Sequence, residues 1–238
     1  MDRFLVIGGG SAGCVLARRL SDDMSVNVTL LEAGLANSHS ALKDPKQWPF
    51  LADTEFDWGF RTTPQEHTNW RSHRWPRGRV LGGSSSINAM AHVRGHPDDF
   101  DSWETNGCLG WGYADLLPYF VRSETSPYSE LPYHGDQGPL QLMQPDDPHP
   151  VTRCFMAAIE NQGYQPIEEH NGQSMIGPTL NTMTIVNNQR LSVADAYLAP
   201  ILPRDNLEII NQCMVDKLLI DEHNRCIGVK RCEVENCG

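Results

Sequence analysis

The first apolar positions, Phe4, Leu5, Val6 and Ile7, run without interruption until Gly8, Gly9 and Gly10 stop them. An unbroken run of that length predicts a strand buried on both faces. In SAGCVLARRLSDD the period becomes helical, with Ala12, Val15, Leu16 and Leu20 on one side. Val26 to Leu31 is strand-like again and ends at Glu32, so the chain opens on a β-α-β unit from Phe4 to Glu32. Between Gly34 and Trp75 periodicity fades, yet Trp48, Trp58, Trp70 and Trp75 all lie there. Structureless loops beyond about 12–15 residues are uncommon unless functional, so this stretch is expected to be an ordered wrap over a ligand or over the fold.

Beyond Gly83 the serines predict a second helix reaching about Arg94, and Asp98 to Asn106 predicts a third, with Phe100 and Trp103 on one side and Gly107 as its stop. Alternation in Leu140-Gln141-Leu142 and in Leu180 to Val186 predicts half-exposed, hence antiparallel, strands. Between them Pro150 to Gly163 reads as a helix carrying Val151, Phe155, Ala158 and Ile159. Ser192 with Asp195 three residues on has the form of a capping box for a helix ending near Pro200. Leu207 to Ile210, Met214 to Ile220 and Ile227 to Val234 are strand-like, with Asp221 to Arg225 as a turn.

Composition narrows the function classes. With 238 residues, 39% of them hydrophobic, the chain can bury a sizeable core. Nineteen basic against thirty acidic residues leave a net charge of −11, the wrong sign for an affinity built on phosphate neutralisation, so no nucleic-acid partner is expected. No window approaches the ~18 apolar residues of a membrane span, and Met1, Asp2 and Arg3 lead directly into an apolar strand, so neither a membrane span nor a signal peptide is expected. The seven cysteines, Cys14, Cys108, Cys154, Cys213, Cys226, Cys232 and Cys237, never form a Cys-x-x-Cys pair. They read as free thiols of a cytoplasmic protein, with no disulfide framework and no metal site.

Gly8-x-Gly10-x-x-Gly13 follows a strand and opens a helix. Glycines there permit a tight turn, a close approach of backbone to a pyrophosphate and close helix–strand packing, and the helix N-terminus offers its unpaired amides to the anion. Glu32, nineteen residues after Gly13 at the end of the second strand, stands where a carboxylate accepts hydrogen bonds from an adenosine ribose. Dinucleotide binding is expected, against the alternative of a glycine-rich turn in an ordinary α/β protein. The motif alone does not separate NAD from FAD.

Arg77-Gly78-Arg79-Val80-Leu81-Gly82-Gly83-Ser84-Ser85-Ser86-Ile87-Asn88 combines glycines that let backbone approach a flat ligand with serines able to cap a helix. By itself it could equally be a plain serine-capped helix start. Together with VIGGGSAG, LLEAG, Asp57-Trp58, GRVLGGSSSINAMAHVRGHPDDFDSW, GWGYADLLPYFVRSE and NNQRLSVADAYLAPILPRDNL, it resembles the glucose-methanol-choline (GMC) family of FAD-dependent oxidoreductases, over essentially the whole chain. The resemblance implies an α/β protein: a Rossmann-like FAD-binding domain, discontinuous over residues 1–138 and 205–238 and incomplete, with residues 139–204 as the first part of an antiparallel-sheet plus helix substrate domain. It implies that Gly8, Gly10 and Gly13 hold the FAD diphosphate and Glu32 the adenosine ribose. Val80, Gly83, Ser84, Asn88, Ala89, Met90 and Ala91 would lie along the diphosphate and flavin, and Val215 would pair its backbone with the adenine, where residues alone suggest only a core valine.

Ile87 stands where some relatives carry a flavin-linking histidine, so noncovalent FAD is expected. His92 replaces the aromatic or small residue usual four positions after the Asn; on a helix it reads as packed or solvated, and less readily as functional. The family places its catalytic histidine in a C-terminal segment, which implies that the catalytic residues lie beyond Gly238 and that the chain is an N-terminal portion, inactive alone. The implied activity is oxidation of a small alcohol, with hydride passing to flavin N5 and oxygen, a quinone or a carrier as electron acceptor. Lyase chemistry on the same fold and a non-catalytic cofactor-binding fragment are the alternatives. Asp98, Asp99 and Asp101 read as helix-capping residues, and His134, His149 and His170 as surface residues without metal-ligand spacing.

Overall fold

The computed structural model describes residues 2–128 and 132–232. The chain opens with strand β1 (Asp2–Ile7), helix α1 (Ser11–Leu20) and strand β2 (Val26–Leu31), followed by a one-turn helix α2 (Ser40–Lys43). Helices α3 (Pro97–Thr105) and α4 (Tyr113–Ser123) come next, then short strands β3 (Glu124–Thr125) and β4 (Leu140–Gln141) and helix α5 (Pro150–Asn161). The last elements are β5 (Ile185–Val186), β6 (Gln189–Arg190), β7 (Leu207–Ile210), β8 (Val215–Ile220) and β9 (Cys226–Arg231). Glu233 and Val234 of the expected last strand, and Cys237, lie outside the described residues.

Packing divides the chain into two compact units, residues 1–89 with 188–238, and residues 90–187. In the first, a parallel sheet has the order β1-β2-β7, with Val6 beside Leu30 and Leu30 beside Ile209. Helix α1 lays Cys14 and Ala17 on this sheet, where Val28, Leu30, Leu81, Leu198 and Leu207 complete a buried core. A second core under the 34–75 wrap joins Leu42, Leu51, Phe56, Val80 and Ile87. That wrap is ordered as expected, but Trp48, Trp70 and Trp75 are exposed on it. Strand β1 is a correction to the two-faced burial expected of its sequence. It is the sheet's edge, and Phe4, Leu5 and Ile7 are exposed while Val6 alone is buried. The Ser192–Asp195 capping box forms, Ser192 N donating to Asp195 Oδ2 at 3.1 Å and Asp195 N to Ser192 Oγ at 3.2 Å, ahead of a π-type turn over Ala194–Leu198. Strands β8 and β9 form an antiparallel hairpin.

In the second unit, α3 and α4 pack through Phe100, whose ring centroid is 5.5 Å from that of Phe120. His96 caps α3, accepting from Asp98 N, while Asp99 accepts from His96 N; Gly107 ends the chain's helical path at φ +104°. Asp99 thus caps α3 as expected, whereas Asp101 accepts from Tyr113 N at 2.8 Å at the start of α4, and Asp98 Oδ2 lies 3.5 Å from His96 Nδ1. Two expectations are corrected here. The serine-rich run makes only a 3-10 turn over Gly83–Ser86, because Met90 takes φ +62° and its carbonyl accepts from Thr184 N, drawing residues 90–92 into bridges with the 182–184 segment. Leu140–Gln141 pairs in parallel with Glu124–Thr125, while Met183 does bridge both Ala91 and Met143 antiparallel. Among the described residues no helix is long and apolar enough to cross a membrane. Cys14, Cys108, Cys154, Cys213 and Cys226 are free, whereas Cys232 is disulfide-bonded, against the expectation of free thiols throughout.

Candidate functional site

The β1–α1 turn and the loop after Val80 meet in the first unit. Gly82 N donates to Gly9 O at 2.6 Å, and the Cys14 thiol donates to the same carbonyl at 3.2 Å. A Cβ on Gly83 would stand 2.7 Å from Gly10 Cα, so the two glycine segments touch backbone to backbone. Beneath the turn a Cβ on Gly13 would fall 1.9 Å from Gly8 O, which is the close helix–strand packing expected of the third glycine. Gly10 differs. It N-caps α1 at φ −74°, no atom lies within 4 Å of where its Cβ would be, and nothing in the fold itself requires a glycine there.

That open space belongs to a cavity of about 250 Å³ lined by Gly8, Gly10, Glu32, Gly83 and Val215, among others. Five of the expected cofactor residues thus share one hollow at the carboxyl end of a parallel sheet, where α/β folds bind ligands. Gly10's missing side chain is the space that an anionic backbone ligand would fill at the N-terminus of α1, so the residues present fit a dinucleotide diphosphate. Ser84, Asn88 and Ala89 line a neighbouring cavity of about 210 Å³ with Trp48, Pro49 and Ile87. Val80 is fully buried and lines neither; it supports the loop from the core, its carbonyl accepting from Gly83 N. Met90 and Ala91 belong to the second compact unit.

Glu32 is 5% exposed, and its carboxylate accepts from Gly9 N at 2.7 Å and Gly34 N at 2.8 Å. Burial raises its pKa above the ordinary carboxylate value, against the pull of those amides and of Arg79. The carboxylate therefore braces the glycine turn from below, a structural duty in addition to any ribose contact, and one that spacing alone did not reveal.

A buried charged cluster in the second unit went unread in the sequence. Glu124, fully buried, accepts from His134 Nδ1 at 3.0 Å and His92 Nε2 at 3.1 Å and lies 2.9 Å from Arg94 Nη2. His134 Nε2 donates to Glu169 at 2.9 Å. Burial would raise the Glu124 carboxyl, but the hydrogen bonds and Arg94 overcome it and hold the pKa at about 2. Burial likewise opposes a charged His134, yet its two carboxylate partners raise it to about 9. His134 is therefore a buried imidazolium and not the surface residue expected; His149 is exposed and caps α5. His92 is not on a helix, and its Nε2 is turned to Glu124. Among the described residues no group of three or more His, Cys, Asp or Glu side chains could hold a metal ion.

Comparison with known proteins agrees with this architecture. The GMC oxidoreductase family profile matches residues 2–237. The oxygen-dependent choline dehydrogenase of Sinorhizobium fredii is 40% identical over 237 residues, 99% of this chain and 42% of the relative; that of Brucella anthropi is 39% identical over 228 residues, 95% of this chain and 41% of the relative. The crystal structure of pyridoxine 4-oxidase from Mesorbium loti superposes with a TM-score of 0.91 at 38% identity, covering 97% of this chain and 45% of that one. Formate oxidase of Aspergillus oryzae follows with a TM-score of 0.86 at 28% identity, over 98% of this chain and 43% of that one. The chain spans less than half the length of these relatives. With the two glycine segments joined and the family's profile matched along nearly its whole length, the chain belongs to the GMC oxidoreductase family.

Proposed function

We propose that this chain builds the FAD cradle of an enzyme that oxidises a small alcohol. The observation that carries the reading is the cavity shared by Gly8, Gly10, Glu32, Gly83 and Val215, with open space where a Gly10 side chain would stand. Gly8 and Gly10, at the N-terminus of α1, hold the diphosphate, while Gly13 lets the helix sit close enough to do so. Glu32 receives the adenosine ribose, and the backbone of Val215 pairs with the adenine. Gly83, Ser84, Asn88, Ala89, Met90 and Ala91 lie along the diphosphate and flavin, with Val80 packed behind them. Bound FAD supplies a hydride acceptor at N5 for the alcohol carbon.

What this chain's residues contribute is binding, orientation and exclusion of water around the cofactor. The group that takes the hydroxyl proton belongs, in this reading, to residues beyond Gly238, and the chain alone turns over no alcohol. FAD is held without a covalent link, and oxygen, a quinone or a carrier takes the electrons onward. The functional partition, residues 1–138 and 205–238 for FAD and 139–204 for the start of the substrate domain, belongs to the same proposal and cuts the chain elsewhere than its packing units do. The cytoplasm is the proposed compartment, on the strength of five free cysteines among the described residues.

Anaerobic mixing of the full-length protein with short alcohols tests the reaction. Bleaching of the flavin absorbance with formation of the carbonyl product is expected; cleavage of a substrate with the flavin still oxidised would replace alcohol oxidation by lyase chemistry.

A further inference from the structure

Arg190 has no part in the cradle described above, yet among the described residues of the first unit it is a buried cation. It is 3% exposed, and among the described residues it makes no ion pair within 4 Å. Its Nε donates to Leu42 O at 3.0 Å, and its Nη1 donates to Ser85 O at 3.2 Å and to Asn88 Oδ1 at 2.8 Å. Nη2 is buried with no hydrogen-bond partner. Asp195, a carboxylate whose charge it feels, is itself engaged by Lys43, Asn37 and Ser192. Burial lowers the guanidinium's pKa, Asp195 opposing, to about 10, so Arg190 is charged at neutral pH.

Burying a cation against neutral partners is unfavourable, and tying one carbonyl to another would be done at lower cost by a neutral amide. The groups that Arg190 gathers indicate its use. Two of its three acceptors, Ser85 O and Asn88 Oδ1, lie in the Gly82–Ala89 loop. The same loop is pinned again where Val193 N donates to Ser85 Oγ at 3.0 Å and Ser85 Oγ donates to Gly82 O at 2.6 Å. Asn88 lines the 210 Å³ cavity beside Ser84 and Ala89. An Asn side chain has two flips that exchange donor for acceptor, and a guanidinium at 2.8 Å permits only the one with Oδ1 toward Arg190.

Resting on the FAD reading, we propose that Arg190 is a positioning residue for the cofactor, locking the Gly82–Ala89 loop and fixing the flip of the Asn88 amide. Only a planar fork reaches Leu42, Ser85 and Asn88 together, so lysine is not an adequate substitute even though it keeps the charge.

The test is FAD titration of the deflavinated full-length protein and of Arg190→Lys, Asn88→Ala and the double variant, with the melting temperature of each apoprotein recorded alongside. Arg190→Lys and Asn88→Ala should each weaken FAD binding about ten- to hundredfold, and the double variant should be little worse than either single one, because both remove the same oriented amide. A purely structural arginine would lower the apo melting temperature without that coupling to Asn88. If the wild-type protein takes up no FAD, the underlying reading falls. If it does and Arg190→Lys binds equally well, or the two losses simply add, the positioning role is wrong. Should Arg190→Lys fail to fold, Arg190→Gln takes its place in the same cycle: a loss that overlaps with that of Asn88→Ala upholds the proposal, and wild-type affinity or simply additive losses overturn it.

Discussion

The backbone amide of Gly82 donates to the carbonyl of Gly9 at 2.6 Å, joining two loops that lie more than seventy residues apart in the chain. Contact continues at Gly83, whose hydrogen atoms face Gly10 Cα at a separation that leaves no room for a methyl group. Gly83→Ala should therefore push the loops apart, costing about 1–3 kcal/mol as an overpacked interior does, and Gly13→Ala, aimed at the Gly8 carbonyl, at least as much. Chemical denaturation of the purified variants measures this; wild-type stability in both would mean that the loops are not in contact.

The charged cluster of the second unit predicts stability that declines at both ends of the pH scale. Glu124 is depressed from 4.5 to about 2, so its contribution is complete above 4.5 and is lost as pH falls toward 2. His134 is raised from 6.5 to about 9, so its contribution is complete below 6.5 and is lost as pH rises through 9. Hydrogen exchange of residues 90–187 against pH should show protection greatest between pH 4.5 and 6.5. His134→Phe strands two buried carboxylates and should destabilise this unit by about 3–5 kcal/mol while removing the alkaline limb. A flat profile from pH 3 to about 9 would contradict the cluster's geometry.

Glu32 braces the glycine turn and, in the proposed reading, also receives the ribose, and substitution can separate the two. Glu32→Gln keeps an acceptor for one of the Gly9 and Gly34 amides, whereas Glu32→Ala leaves both buried donors unmet, at about 1–3 kcal/mol each. FAD affinity should fall in both variants, and folding stability far more in the alanine one. Because the folded state raises this carboxyl's pKa, stability should drop as pH rises through the region just above the ordinary carboxylate value, and Glu32→Gln should abolish that drop. Equal stability in the two variants would remove the bracing role.

Local pattern made the β1-α1-β2 opening and its glycine turn legible, since strand, turn and helix there are dictated by neighbours in sequence. Glu32 was placed by spacing, but its grip on Gly9 and Gly34 was not, because it depends on β2 ending directly beneath the turn. The exposed β1 edge was misread for a related reason: an apolar run reports what a strand could bury and not which neighbours it has. His134 looked like a surface residue in a polar stretch, and Glu124 carried no signal at all. Their burial is set by partners, 35 residues apart in the case of His134 and Glu169, that no short-range pattern connects. Residues 87–92 read as helical by the serine caps before them, and tertiary bridges to the 182–184 segment overrode that local preference.

Ile87 is 7% exposed in the second core of the first unit and offers no nucleophile. The flavin should therefore separate from the polypeptide on acid or heat denaturation, as measured by absorbance of the filtrate. Flavin that stays with the chain and is lost in His92→Ala would instead assign a covalent link to a ring whose Nε2 now faces Glu124.

The central claim is that the hollow above Gly10 is the seat of the FAD diphosphate, and Gly10→Val tests it most directly. With φ −74° and no neighbouring atom within 4 Å of its Cβ position, Gly10 can accept a side chain without strain, so the variant should melt close to the wild-type apoprotein. The flavin absorbance of the purified full-length protein should nonetheless be lost, since the new side chain fills the place where backbone must meet the phosphates. A folded Gly10→Val protein that keeps its full flavin spectrum, or a wild-type protein with none, would contradict the account.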